Sequence, residues 1–361
     1  MNKDKRIESF ARLGVAFHNI LQTDRDRTSE LSAASRNLLA AIHQAEQKNH
    51  WFTEDMIRHS LKAWSESLRT DSLRKLCLAV PSEQHHPLRI AIIMAGNIPL
   101  VGMHDWMSTL LCGHSALVKL SQKDDVLLPA VNQLLCEIEP QWAGFTDFVD
   151  GILPHFDGAI ATGSNNSFNY FNYYFSKVPH VLRHNMQSVA ILSGQESREE
   201  LSALCDDLFL YFGLGCRNVS LLLVPEGYDF STLIEVSQRY ANLSSHHAYS
   251  STYDYHKALL LMNGVPFTDG GFWLLKESDA TASPVSVVNF CHYNTPSEAI
   301  QFLEQHNSEI QCVALGHPFT TTPKPTVQPE TMRPVRFGQC QRPELTDFAD
   351  GVDIIDALLK M

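Results

Sequence analysis

Residues 87–100 read Pro87-Leu-Arg-Ile-Ala-Ile-Ile-Met-Ala-Gly-Asn-Ile-Pro-Leu100. Leu88 to Met94 is a short apolar run that ends at Ala95-Gly96-Asn97, which predicts a buried strand closed by a turn. Ser115-Ala-Leu-Val-Lys-Leu120 predicts a second strand, Phe145 to Val149 a third, and Gly158-Ala-Ile-Ala-Thr162 a fourth. Helical patterns lie between them at 99–112, 125–138 and 165–177. Alternation of this kind argues for a parallel α/β sheet. The pattern repeats after Ser188, with strands expected at 189–192, 219–224, 285–290 and 312–315 and helices at 198–212, 231–243 and 296–306. Residues 3–80 read instead as helices, with Ile7, Phe10, Leu13 and Phe17 near helical spacing and Thr53 as an N-cap before Glu54 and Asp55. The expected organisation is a first domain over 1–190, a second over 191–330, and a tail over 331–361 that packs back on the core. Five prolines between 316 and 334 predict an extended connection.

The bulk numbers bound the function. A chain of 361 residues, 44% hydrophobic and 19% charged, has the composition of an ordinary globular protein with room for two domains. Its net charge of −12 and lack of a long basic run argue against nucleic acid as the main partner. No stretch approaches the apolar length of a membrane span, and no apolar segment of signal-peptide type follows the N-terminus. Eight cysteines at irregular spacing, with no Cys-x-x-Cys, read as reduced thiols of a cytoplasmic protein. Seventeen histidines do not assemble a metal motif: His85-His86 and His246-His247 are adjacent pairs, and no metal site is expected.

Cys216 stands out. It lies in Phe212-Gly-Leu-Gly-Cys-Arg-Asn-Val-Ser220, after two glycines and before a strand. Such a thiol has close backbone access, and its own N–H can face a reacting oxygen, as a thioester-forming nucleophile requires. Arg217 beside it favours a thiolate. The same nine residues also suit a structural cysteine in a tight loop. Asn97, at the end of the first strand, is placed to donate to an oxyanion or simply to support its own turn. Thr162, Gly163 and Ser164 precede a helix, where free N–H groups either receive phosphate or are capped. Lys119 ends another strand and either reaches a ribose or is solvated. Phe168, Phe171 and Phe175 share one helix face, most simply a core face. Gly-x-Gly-x-x-Gly is absent after any strand, so the usual dinucleotide fingerprint is missing.

Taken in order, these segments resemble the aldehyde dehydrogenase superfamily. Residues 87–100 are similar to the family's strand leading to Pro-Trp-Asn-Phe-Pro-Leu, with Ala95-Gly96 in place of Pro-Trp. His114 to Ser121 is similar to Gly-Asn-x-Val-Val-x-Lys-Pro-Ser, Ala161-Thr-Gly-Ser164 to Phe-Thr-Gly-Ser, and Leu214-Gly-Cys-Arg-Asn218 to Gly-Gln-x-Cys. Gly-x-Gly-Cys-Arg-Asn-Val and the closing Gln341-x-Pro-x-Leu-x-Asp-Phe-Ala-Asp-Gly-Val-Asp353 look most like the LuxC-type acyl-CoA reductases, the fatty acid reductase component of bacterial bioluminescence. The resemblance covers roughly 85–361.

It implies an aldehyde dehydrogenase-like fold of two α/β lobes, the first holding a nicotinamide cofactor and the second the catalytic cysteine. Cys216 is then the nucleophile and Asn97 part of the oxyanion hole. Thr162, Gly163 and Ser164 are implied to lie at the cofactor pyrophosphate, and Lys119 at the adenosine ribose. The family's water-activating glutamate in Glu-Leu-Gly-Gly-Lys has no carboxylate counterpart in Arg183 to Ala190, which suits an acyl-enzyme that is to be reduced or passed to another thiol. The ribose-binding glutamate of Glu-x-Phe-Gly-Pro also lacks a clear counterpart near Asp279. Gln122, followed by Lys123, replaces the acidic residue that favours NAD, so NADPH is preferred and NADH is the alternative. The implied substrate is an acyl-CoA or acyl-protein thioester, with an acyl-transfer protein as the macromolecular partner and a homo-oligomer as the state. An acyltransferase using the same cysteine, and a non-catalytic binding relative, are the competing readings.

Overall fold

In the computed structural model, residues 1–23, 29–163, 165–184, 186–316 and 334–361 are described, the side chains of 165–169 excepted. Two compact units emerge. The first comprises 1–184, 344–348 and 352–361; the second comprises 185–343 and 349–351.

The first unit begins with four helices, α1 (Lys3–Gln22), α2 (Ala33–Lys48), α3 (Glu54–Ser67) and α4 (Thr70–Leu76). Asn2, Ser32 and Thr53 cap the first three by accepting a backbone N–H, which satisfies donors the helix cannot. The sheet follows as β1 (Arg89–Ile93), α5 (Met103–Leu111), β2 (Ser115–Lys119), α6 (Leu127–Ile138), β3 (Thr146–Phe148), β4 (Gly158–Thr162), α7 (Asn165–Phe175) and β5 (His180–Arg183). Its order is β3-β2-β1-β4-β5, and every pairing is parallel. Both faces are covered. Ile90, Ile92, Ala116, Val118 and Ile160 join the core shared with the N-terminal helices, whereas Ala91, Ala159 and Ala161 face Phe175 of α7. That two-sided burial is why these strands read as continuous apolar runs. Phe10 of α1 packs edge-on against Trp106 and Trp142, each at 5.7 Å between centroids. The indole N–H groups are satisfied by Thr146 and Ser9, each at 2.9 Å.

The second unit runs β6 (Gln187–Ile191), α8 (Arg198–Phe209), β7 (Val219–Pro225), α9 (Ser231–Ser237), α10 (His247–Met262), β8 (Thr268–Asp269), β9 (Leu274–Glu277), β10 (Val287–Tyr293), α11 (Pro296–Gln305), β11 (Ile310–Leu315) and β12 (Pro334–Arg336). The seven strands order as β12-β11-β6-β7-β10-β9-β8, parallel except for the antiparallel β8–β9 edge. A last helix, α12 (Ile354–Lys360), returns to the first unit and buries Ile354, Ile355 and Leu358 there.

The expected fold class of parallel α/β units behind a helical N-terminus is present. Three local expectations need correction. The helix predicted over 198–212 stops at Phe209, because Tyr211 and Phe212 adopt left-handed backbone angles, φ 54° and 57°. The helix predicted over 231–243 is α9 followed by a 3₁₀ stretch, Gln238–Ser245. The sequence reading also omitted β5, α10 and the strands β8, β9 and β12 of the second sheet. Most of the connection predicted over 316–334 lies outside the described residues.

At the end of β5, Arg183 makes a buried pair with Asp105 of α5, through Nε to Oδ2 at 3.2 Å and Nη2 to Oδ1 at 2.6 Å. Removing one member of a buried pair strands the other charge, which costs about 3–5 kcal/mol. Arg183→Ala is therefore expected to destabilise the first unit by that amount in chemical denaturation. Four of the five tryptophans, Trp51, Trp64, Trp106 and Trp142, lie in that unit, and replacing Trp273 of the second unit by Phe makes tryptophan fluorescence read the first alone.

Candidate active site

In the first unit the sheet order reverses between β1 and β4, and ligands of open α/β folds bind beyond the carboxyl ends at such a point. Register puts Ile93, Lys119 and Ala161 level with one another, with Thr162 one residue further, opposite Arg183. Asn97 follows four residues after β1 in a half-buried bend. Lys119, Thr162, Gly163 and Asn97 therefore gather on one sheet edge. Ser164 lies outside the described residues. The Lys119 ammonium donates to the Gly151 carbonyl at 2.9 Å. Gln122 and Lys123 are exposed in the turn after β2.

The loop carrying Asn97 is held from three sides. A Cβ on Gly96 would come within 2.7 Å of Ser121, so only glycine lets the loops after β1 and β2 lie this close. Ser60 of α3 donates to the Pro99 carbonyl at 3.0 Å. Asp124 accepts the Leu100 N–H at 2.9 Å, where Leu100 has φ 58°. Burial pushes the Asp124 carboxyl up to about 6, against the pull of its backbone donors. Asn49, at the end of α2, donates to the Lys123 carbonyl at 3.0 Å and fixes the second loop. Sequence reasoning missed Ser60, Asn49 and Asp124; a polar residue on an apolar helix face was the available signal for Ser60.

In the second unit, Cys216 is half-buried in a turn over 215–218 that leads into β7. The Asn218 N–H donates to the Gly215 carbonyl at 3.0 Å, closing the turn. The Asn218 side chain is 2% exposed; its Oδ1 accepts the Gly215 N–H at 2.9 Å, and its Nδ2 donates to the carbonyls of Asp207 and Leu210 at 3.0 and 2.8 Å. Ser188, at the start of β6, donates to the Cys216 carbonyl at 2.9 Å and lies 3.1 Å from the Cys312 sulfur. Just upstream, Tyr211, Phe212 and Gly213 are all left-handed, with φ 54°, 57° and 74°. A non-glycine residue held there costs about 1–3 kcal/mol, and such strain persists only where the surroundings over-determine it. The Phe212 ring is pinned against His246 at 4.4 Å between centroids.

All eight cysteines are free thiols. Burial pushes Cys77 up to about 11 and Cys112 and Cys205 to about 12, so these are inert packing residues. The Cys340 thiol is held well above the usual range by its hydrogen bond to Cys312 and by burial. Among the described residues, His43, Glu46 and Glu54 approach as a set of three metal-type ligands, but Glu54 already pairs with Arg58 at 2.7 Å. Of the phenylalanines placed on one face of α7, Phe175 is buried, Phe171 packs against it at 6.0 Å between centroids, and Phe168 lies outside the described side chains. No helix among the described residues is long and apolar enough to cross a membrane.

This architecture has close counterparts among solved structures. The chain resembles a double mutant of betaine aldehyde dehydrogenase from Staphylococcus aureus, in complex with NAD+ and carrying a BME-modified cysteine, at TM-score 0.66 and 11% identity over 93% of this chain and 77% of that one. It resembles aldehyde dehydrogenase 21 from Physcomitrella patens, in complex with succinate, at TM-score 0.62 and 12% identity over 87% and 73%. The NAD+ complex of an aldehyde dehydrogenase from Bacillus cereus gives TM-score 0.59 and 13% identity over 89% and 73%. The fold is that of the aldehyde dehydrogenases. At these identities the likeness establishes architecture alone. No family model and no curated protein matches the chain.

Below the Cys216 turn, Asp207 is fully buried and accepts the N–H groups of Gly338 and Cys340 at 2.6 and 2.9 Å. Burial outweighs these donors and pushes its carboxyl up to about 7. A carboxyl raised in the folded state binds its proton more tightly there than in the unfolded chain. Stability from this group is therefore full below the unfolded carboxyl range and falls as pH rises towards 7. Asp207→Asn should flatten that part of the stability–pH curve, measured by denaturant unfolding between pH 4 and pH 8 against the unmodified protein.

Proposed function

We propose that the protein is an acyl-CoA reductase of the LuxC type: it reduces an acyl-CoA or acyl-protein thioester to an aldehyde through a Cys216 acyl-enzyme, with NADPH as the preferred reductant. The observation that carries this reading is the half-buried cysteine in a clamped turn after a left-handed segment. Positioned nucleophiles with an activated backbone surround are what thioester exchange needs. The aldehyde dehydrogenase-like fold supports an oxidoreductase acting on the aldehyde level. The lack of a carboxylate across 183–190 fits an acyl-enzyme that is not handed to water.

The residues of the first unit suit a nicotinamide dinucleotide. Thr162 and Gly163 would face its pyrophosphate and Lys119 its ribose; Gln122 and Lys123, both exposed, offer a neutral side chain and a cation that would not repel a 2′-phosphate. When bound, that cofactor supplies the hydride. The protein does the rest. Cys216 as thiolate attacks the acyl carbonyl carbon, the carbon–sulfur bond to the donor breaks, and the donor thiol leaves with a proton. Asn97 and the Cys216 N–H would stabilise the oxyanion. After reduction Cys216 is the leaving group, and the aldehyde departs.

The expected outcome with the purified protein is a stoichiometric acyl adduct on Cys216 by intact-mass spectrometry with an acyl-CoA, and thioester-dependent loss of NADPH absorbance. Cys216→Ala should abolish both. An adduct that persists in Cys216→Ala rejects this nucleophile, and an adduct formed without any consumption of NADPH or NADH points to acyl transfer instead.

A further inference from the structure

The strained segment before Cys216 raises the question of what holds it. Left-handed angles at Tyr211, Phe212 and Gly213 turn the chain sharply between the end of α8 and the cysteine turn. One buried side chain touches both ends of that bend. Asn218 Nδ2 donates to Asp207 and Leu210, which lie before it, and Asn218 Oδ1 accepts from Gly215, which lies after it. The Asp207 carbonyl belongs to the last turn of α8 and Leu210 is its C-cap, where the helical ladder runs out. An asparagine carboxamide is the smallest side chain offering two donors and an acceptor in one plane.

We propose that Asn218 is a positioning residue for Cys216, locking the 211–213 bend and the turn after it so that the sulfur holds one orientation. This rests on the reading of Cys216 as nucleophile. Serine or aspartate could not substitute: neither supplies the two donors, and an aspartate would set a carboxylate oxygen against the carbonyls of Asp207 and Leu210. The second tie on the turn, from Ser188 to the Cys216 carbonyl, fixes the peptide after the cysteine but not the bend before it.

The test compares the unmodified protein with Asn218→Asp, which preserves size and the acceptor to Gly215, and with Asn218→Ala. Two quantities are read: the rate of Cys216 alkylation by iodoacetamide across pH, followed by peptide mass mapping, and the kcat and KM for thioester reduction. Asn218→Asp is expected to unfold cooperatively, to lose about 100-fold in kcat with KM changed less than about threefold, and to displace the alkylation–pH profile of Cys216. A residue that merely stabilised the fold would lower the melting temperature and leave both profiles of the folded protein unchanged, and that result overturns the proposal. If the unmodified protein reduces no thioester, the functional reading fails, while the alkylation profile still decides the role of Asn218.

Discussion

Parallel strands hydrogen-bond in one direction, so every carboxyl end of a sheet falls on the same edge. In the first unit this single constraint gathers Asn97, Lys119 and Thr162, which are far apart in sequence, onto one rim. Such a sheet must be covered on both faces, and the chain meets that demand unequally. One face takes the large residues Ile90, Ile92 and Val118 against the helical layer; the other takes alanines, which lets α7 lie close. The second unit places its chemistry differently. Cys216 precedes β7, and Ser188 opens β6, so its candidate nucleophile stands at the amino edge of a parallel sheet.

The N-terminal helices do more than enlarge the core. Ser60 of α3 and Asn49 at the end of α2 reach the two loops that follow β1 and β2, and Asp124 ties those loops to each other. The bend bearing Asn97 therefore takes part of its support from the N-terminal helical layer. Rigid support of this kind is what keeps a hydrogen-bond donor aimed at a developing charge.

How much of this could be read from the chain depended on the range of the interaction. The central strands of both sheets were legible because two-sided burial writes a continuous apolar run, as in Val219 to Val224. Helix α10 was not: across His247 to Met262 only Tyr249 is buried, so no apolar stripe marks it. β5 is four residues long and ends in a buried arginine, which reads as polar loop until Asp105 is seen beside it. The cysteine motif announced Cys216 but not its support. Positive φ at Tyr211 and Phe212 carries no local signature, since aromatic residues are unsuited to it, and the amide that compensates is a tertiary contact.

The closing stretch of the chain has a consequence for how the protein is made. Residues 352–361 belong to the first unit, although 185–343 intervene, and Ile354, Ile355 and Leu358 fill its core. A ribosome releases that unit's opening helices and sheet early, yet the plug for their interior emerges only after the second unit's 185–343 have been made. Until then the nascent lobe exposes an apolar gap, and its completion waits on the synthesis of the segment inserted between its parts.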